Sequence, residues 1–216
     1  MYFTLTDLVT DIAQNGIESG GSIVELEISE NSLEKREFRF TVKDNGKGMS
    51  SEELIRVQDP FVTDGVKHPN RKVGLGLPFL IQTANQSGGG WKLESKKKTE
   101  AQSPEEAPAG ACGTTVSAWF DLGNVDTPPI GDIPGMIRTV LMFSGPSEIV
   151  ISRRKEAPGG HINYELRKSE LVEALGDLED AMSLVLLDQY LHSMEEASEE
   201  EDSDEMSGTP ADAGNE

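Results

Sequence analysis

The sequence predicts an α/β two-layer sandwich, with helices on one face of a mixed, mainly antiparallel sheet. Two runs, Ile23 to Ile28 and Phe38 to Val42, alternate apolar with other residues across a polar turn at Asn31-Ser32. That is the pattern of adjacent antiparallel strands with one buried face. Other stretches repeat apolar residues three and four apart, the helical period. At 216 residues the chain holds one good core, or a core with an appendage, but not two large domains.

The elements follow in order. Leu5, Leu8, Val9, Ile12 and Gly16 share one helical stripe, with Thr6 as expected N-cap and Gly20-Gly21 as the stop. Asp7, Asp11, Asn15 and Glu18 form the polar stripe opposite. After the two alternating runs, Asp44 to Met49 is a Gly-rich turn, and Ser50-Ser51-Glu52-Glu53 caps a short helix. Asp59 to Lys72 has no clean period and reads as a mobile surface loop. Gly74-Leu75-Gly76-Leu77 leads into Pro78 and a helix that runs to Gly88-Gly89-Gly90. Strands at Trp91 to Ser95 and Thr114 to Phe120 flank residues 96–110, whose Lys, Glu, Pro and Ala content predicts a disordered loop. The character changes after Asp126-Thr127-Pro128-Pro129. A helix is expected over Ile133 to Phe143, strands over Ile149 to Arg153 and His161 to Leu166, and one or two helices between Ser169 and Met194. The expected organisation is a domain over 1–125, a small C-terminal α/β extension over 126–194, and a disordered acidic tail over 195–216.

The net charge of −20 is uneven, because residues 195–216 hold ten acids and no base, half of the total. No dense basic stripe exists to hold duplex DNA or an anionic membrane. Lys96-Lys97-Lys98 runs into Glu100, Glu105 and Glu106 and reads as a solvated loop. The single cysteine, Cys112, rules out an internal disulfide or a Cys-based zinc cluster. No apolar run approaches the roughly 18–20 residues of a membrane span. Asp7 and Asp11 interrupt what would be a signal peptide. These points lead to the expectation of a cytoplasmic protein.

The chemistry sits in boxes that are weak singly. A chain of this composition holds about two Gly-x-Gly triplets by chance, against three observed, so only order and context decide. Asp11 and Asn15 lie one turn apart on a helix face. A strand then delivers Asp44-Asn45-Gly46-Lys47-Gly48-Met49. Gly74-Leu75-Gly76-Leu77 opens a helix, and Gly113-Thr114-Thr115-Val116 begins a late strand. This ordered set, over about residues 5–122, resembles the ATP-binding domain shared by histidine kinases, type II topoisomerases, a heat-shock chaperone family and mismatch-repair MutL proteins (the GHKL, or Bergerat, fold). Leu8 to Gly20 and Asp59-Pro60-Phe61-Val62-Thr63 are also similar to family segments.

The resemblance implies a role for each box. Asn15 would offer its carbonyl oxygen to Mg²⁺, a hard ion that keeps several waters and is completed by substrate phosphates. Asp11 stands where the family often has a water-activating Glu, so its shorter side chain implies slow hydrolysis or none. Asp44 matches the carboxylate that accepts a hydrogen bond from the adenine amino group. Gly46 and Gly48 would let the backbone turn and approach the base. Met49 would line the adenine pocket, and Thr114 would support Asp44. By itself Asp44-Asn45-Gly46 also reads as a hairpin turn. Gly74, Leu75, Gly76 and Leu77 would present backbone N–H groups and a helix N-terminus to the phosphates, with Lys72, and Arg71 beside it, neutralising charge. This is not a Walker A loop, lacking its Lys-Ser/Thr ending, nor a dinucleotide fingerprint, since Phe79 takes the last position. Asp59 to Lys72 would be the ATP lid.

Histidines add little: His68 falls in the lid, His161 on a strand, and His192 precedes acids in a setting faintly similar to a phosphoacceptor's. The first motif helix begins within ten residues of Met1, and about 70 ordered residues follow residue 122. The chain is therefore similar to a free-standing ATP domain, such as the small cytoplasmic serine kinases that act as anti-sigma factors, or a standalone partner-regulating ATPase. Two classes stay open: an enzyme that turns over MgATP and acts on a protein partner, or a nucleotide-responsive binding module.

Overall fold

The computed structural model describes residues 3–58, 76–98, 112–146, 148–158 and 160–196. The elements are α1 (Leu5–Glu18), β1 (Ile23–Asn31), β2 (Glu37–Asp44), α2 (Ser51–Val57), α3 (Gly76–Gln86), β3 (Gly90–Lys96), β4 (Gly113–Asp121), α4 (Ile133–Met142), β5 (Glu148–Ala157), β6 (Gly160–Arg167), α5 (Lys168–Leu175) and α6 (Ala181–Glu196). The six strands make one mixed sheet in the order β3-β4-β2-β1-β5-β6. Every neighbouring pair is antiparallel except β1 with β5. The expected two-layer α/β architecture is the observed one.

The strand period explains the layering. Val24, Leu26 and Ile28 on β1, Phe38, Phe40 and Val42 on β2, and Val116, Ala118 and Phe120 on β4 all point to one side and are buried. Phe120 stacks on Phe40 at 6.3 Å and tilts against Phe38 at 6.4 Å. Leu5, Leu8, Val9 and Ile12 of α1, Leu80 and Ala84 of α3, and Ile137, Val140 and Leu141 of α4 cover this face within one continuous core. The opposite face is polar and solvated, as antiparallel sheets allow. Lys43 pairs with Glu25 across strands at 2.6 Å, and Arg39 lies over the Trp119 ring at 4.9 Å.

Several boundaries differ from expectation. The N-cap of α1 is Thr4, not Thr6: the Thr4 hydroxyl accepts from the Asp7 amide while the Asp7 carboxylate accepts from the Thr4 amide, a reciprocal capping box. Thr6 lies in the first turn and is buried. The capping expected at Ser50 is present with Glu53, whose carboxyl is held down to about 2, first by the Ser50 amide and then by Lys97. The short strand expected at 149–153 runs on to Ala157 beside the whole of β1.

Described residues beyond 125 contribute to the same core. The carbonyls of Pro129 and Ile130 accept from the amides of Leu5 and Thr6, two of the α1 donors that have no intrahelical partner. Strand β5 then enters the sheet against β1, and α4 packs on α1. Glu195 and Glu196, expected in the tail, close α6. The tail beyond them, and residues 99–110 of the expected disordered loop, lie outside the described residues. No helix among those described is long and apolar enough to cross a membrane.

Candidate functional site

Asp44 is the last residue of β2 and faces the helix side, where only 7% of it is exposed. A bare strand end would leave such a carboxylate unsolvated. Here the Gly46 amide donates to its Oδ1 at 2.8 Å, and the Ser19 hydroxyl and Thr114 amide also donate to it. Burial dominates these bonds and pushes the carboxyl above the ordinary aspartate range.

The turn after Asp44 is shaped by glycine where the chain is crowded. A Cβ on Gly46 would run into the Ser19 side chain, and one on Gly48, at φ +61°, into the Lys96 carbonyl. Asn45 locks the turn from outside: its Oδ1 accepts from the amides of Ser22 and Ile23 at 2.8 and 2.9 Å. Gly113, at φ +115°, lies so close to the Asp44 carbonyl that a side chain there would collide with it.

Thr114 is opposite Asp44 in the β2–β4 ladder. Its amide, rather than its hydroxyl, reaches the carboxylate. The hydroxyl lies 2.8 Å from Ser95 Oγ, which also donates to the Gly113 carbonyl at 3.0 Å and accepts from the Met49 amide at 2.8 Å. Ser95 therefore ties the Met49 turn to the start of β4. Neither Ser95 nor Ser19 was singled out by sequence, because single serines in a strand and a helix end carry no spacing signal.

The helix boxes meet the turn from above. Asp11 is half-buried and Asn15 exposed, one turn apart on α1. Gly76, the first residue of α3, is packed so closely that a Cβ would enter the Asp11 carboxylate and lie 3.5 Å from Asn15 Nδ2. Gly16, next to Asn15, brings α1 down onto β2: its Cβ position is 3.1 Å from Val42 and 3.8 Å from Asp44. One wall thus holds the α1 polar stripe, the Asp44 carboxylate and the start of α3. The start of α3 marks the positive end of its dipole. The Leu77 side chain is partly buried against the core. Lys72, Gly74, Leu75, Arg71 and the rest of the expected lid lie outside the described residues. Among the described residues, no three or more His, Cys, Asp or Glu side chains gather as a metal site.

A model of the histidine kinase-, DNA gyrase B- and HSP90-like ATPase family matches residues 3–124. The chain belongs to that family, and this part of it is an ATP-binding domain of the GHKL type. Sporulation kinase D of Bacillus subtilis (strain 168) is 31% identical over 107 residues, which is 50% of this chain and 20% of the kinase. The chain thus spans about a fifth of that relative's length. Among solved structures, the Aquifex aeolicus MutL ATPase domain complexed with ADP aligns over 80% of this chain and 67% of its own, at 20% identity and a TM-score of 0.43. The N-terminal domain of a DNA repair protein aligns over 85% and 59%, at 13% identity and the same score of 0.43.

Proposed function

We propose that the chain binds MgATP in the angle between α1, the end of β2 and the start of α3, and uses it to regulate a protein partner, as a protein kinase or a slow ATPase. The observation that carries this reading is the position of Gly76 against Asp11 and Asn15, on the wall that also holds Asp44. Asp44 accepts from the adenine amino group, Gly46, Gly48 and Met49 shape the base pocket, and Thr114 holds Asp44 in register. Gly76, Leu77 and the preceding Lys72, Gly74 and Leu75 take the phosphates at a helix N-terminus. Mg²⁺ suits a site without a protein cage, since it is typically held by one or two protein oxygens plus phosphates and water. Asn15 is the oxygen offered here. Asp11 takes the proton of the attacking water or hydroxyl. The acidic surface favours a protein partner over nucleic acid.

The test incubates the full chain with Mg²⁺ and γ-labelled ATP, alone and with lysate from the source cells, and follows the label. Free phosphate or a labelled protein is expected. Asp11→Asn should lower turnover by about 10²–10⁴-fold with affinity unchanged, the size of a lost general base. Asp44→Asn should weaken ATP binding by about 10–100-fold, as for a lost hydrogen bond to a charged group. Unchanged affinity in that variant overturns the assignment.

The short Asp11 side chain favours a second reading, in which bound nucleotide rather than its chemistry carries the signal. ATP that stays intact, yet is bound by the parent chain and not by Asp44→Asn, would support it.

A further inference from the structure

Helix α6 is apolar on two sides. Leu187 and Leu191 are fully buried, and Met194 packs against the same core. On the other side Met182, Val185, Leu186 and Tyr190 are 67%, 52%, 44% and 41% exposed. Their spacing of three, four and eight residues puts them on one face about 12 Å long. The other large exposed apolar residues among those described, such as Phe3, Leu33, Ile55 and Val125, fall singly on different segments, which is ordinary for a protein surface. Four on one helix face is not.

The surroundings of this stripe are acidic. Asp177, Glu179 and Asp180 precede α6, Glu173 lies on α5, and Glu196 continues the exposed face at its C-terminal end. Glu173, Asp177, Asp180 and Glu196 make no ion pair among the described residues, whereas Asp188, on the flank, is neutralised by Arg138 at 2.6 Å. Residues 197–216 add eight acids and no base. Neither that tail nor a second copy of the face suits the stripe, because each would set acids against acids.

We propose that the outer face of α6 docks a basic amphipathic helix of a partner protein, its apolar anchors on Met182, Val185, Leu186 and Tyr190 and its Lys or Arg flanks on the surrounding acids. This is the helix-on-apolar-face mode of recognition. It does not depend on the nucleotide reading, because α6 lies outside the family-matched residues 3–124.

The experiment titrates the full chain, without nucleotide, with three synthetic peptides followed by fluorescence anisotropy and amide hydrogen exchange. One has Leu at helical i, i+3, i+4, i+7 positions and Lys elsewhere. The second replaces Lys by Glu, and the third scrambles the first so that no apolar face remains. The expected result is that the first peptide binds, protects amides of Met182 to Tyr190, and weakens as salt rises. The double variant Val185→Ser, Leu186→Ser, at exposed positions, should reduce that affinity at least tenfold with an unchanged circular dichroism spectrum. Equal binding of the scrambled peptide would mean the acidic tail alone attracts it, and would overturn the proposal. So would binding of the Glu peptide, an unaffected double variant, or a dimer of the chain that the double variant dissolves.

Discussion

Asp44 is an acid kept where burial works against its charge. Three donors, from Ser19, Gly46 and Thr114, hold the carboxylate in place, yet burial outweighs them and raises its pKa. A carboxyl raised in the folded state lowers stability as pH climbs from the unfolded value, near 3.8, through the folded one, and the loss persists above it. Asp44→Asn is therefore expected to raise the melting temperature of the ligand-free protein at pH 7, while MgATP raises it further by less than in the parent chain. Differential scanning calorimetry with and without MgATP checks both halves. In the parent chain, ATP affinity should fall as pH drops through the raised pKa, at a higher pH than an ordinary aspartate would require. Gly76 is decided at the same scale. Gly76→Ala places a methyl group in the Asp11 carboxylate, so the Asp11 side chain or α3 must shift. Nucleotide affinity should drop at least tenfold in a titration, with the sheet intact by circular dichroism.

Among the elements, β5 and α6 meet through an ionic cluster that no period in the sequence announces. Arg153 is 1% exposed on the core side of β5. It donates to Glu30 at 2.8 Å, to Glu195 at 3.1 and 3.3 Å, and to the Arg154 carbonyl at 3.0 Å, while the Tyr164 hydroxyl donates to Glu195 at 2.8 Å. Burial and the neighbouring Glu195 push the Tyr164 hydroxyl far up, so it stays protonated as a donor. The cluster pins the last turn of α6 to the sheet. Arg153→Met leaves two acids without their partner and is expected to cost about 3–5 kcal/mol in urea unfolding. Adding Glu195→Leu to it should recover part of that loss, because the uncompensated charge goes with it. Read as sequence, Arg153 was the end of a short strand and Glu195 the start of a solvated tail, since an arginine at an inward strand position carries no local mark of its partners.

At the scale of the whole molecule, residues 126–196 complete the core begun by residues 1–125. Ending the chain after Asn124 would uncover the β1 edge, release the Leu5 and Thr6 amides from Pro129 and Ile130, and expose the α1 residues that α4 covers. Each large apolar side chain left bare costs about 1.5–3 kcal/mol, against a total stability of about 5–15 kcal/mol. The shortened chain is expected to lose its cooperative thermal transition and to bind 8-anilinonaphthalene sulfonate. A cooperative, dye-silent fragment would show instead that the family-matched part folds alone.

Alternation along β1 and β2 determined which side chains enter the core, and the stripe from Leu5 to Ile12 determined the face α1 buries. Both follow from periods of two and 3.6 that each residue carries locally. The order of the boxes likewise carried the family resemblance, and through it the proposed roles of Asp11, Asn15, Asp44 and the glycines of the turn. The tertiary structure decided what has no local period. It set β5 parallel to β1, partners 125 residues apart in the case of Ile23 and Glu148, and moved the α1 cap to Thr4. It also brought Ser19 and Ser95 to the Asp44 turn and Gly76 to Asp11. A sequence period states which way a side chain points; which distant segment it meets depends on how the whole chain closes its core.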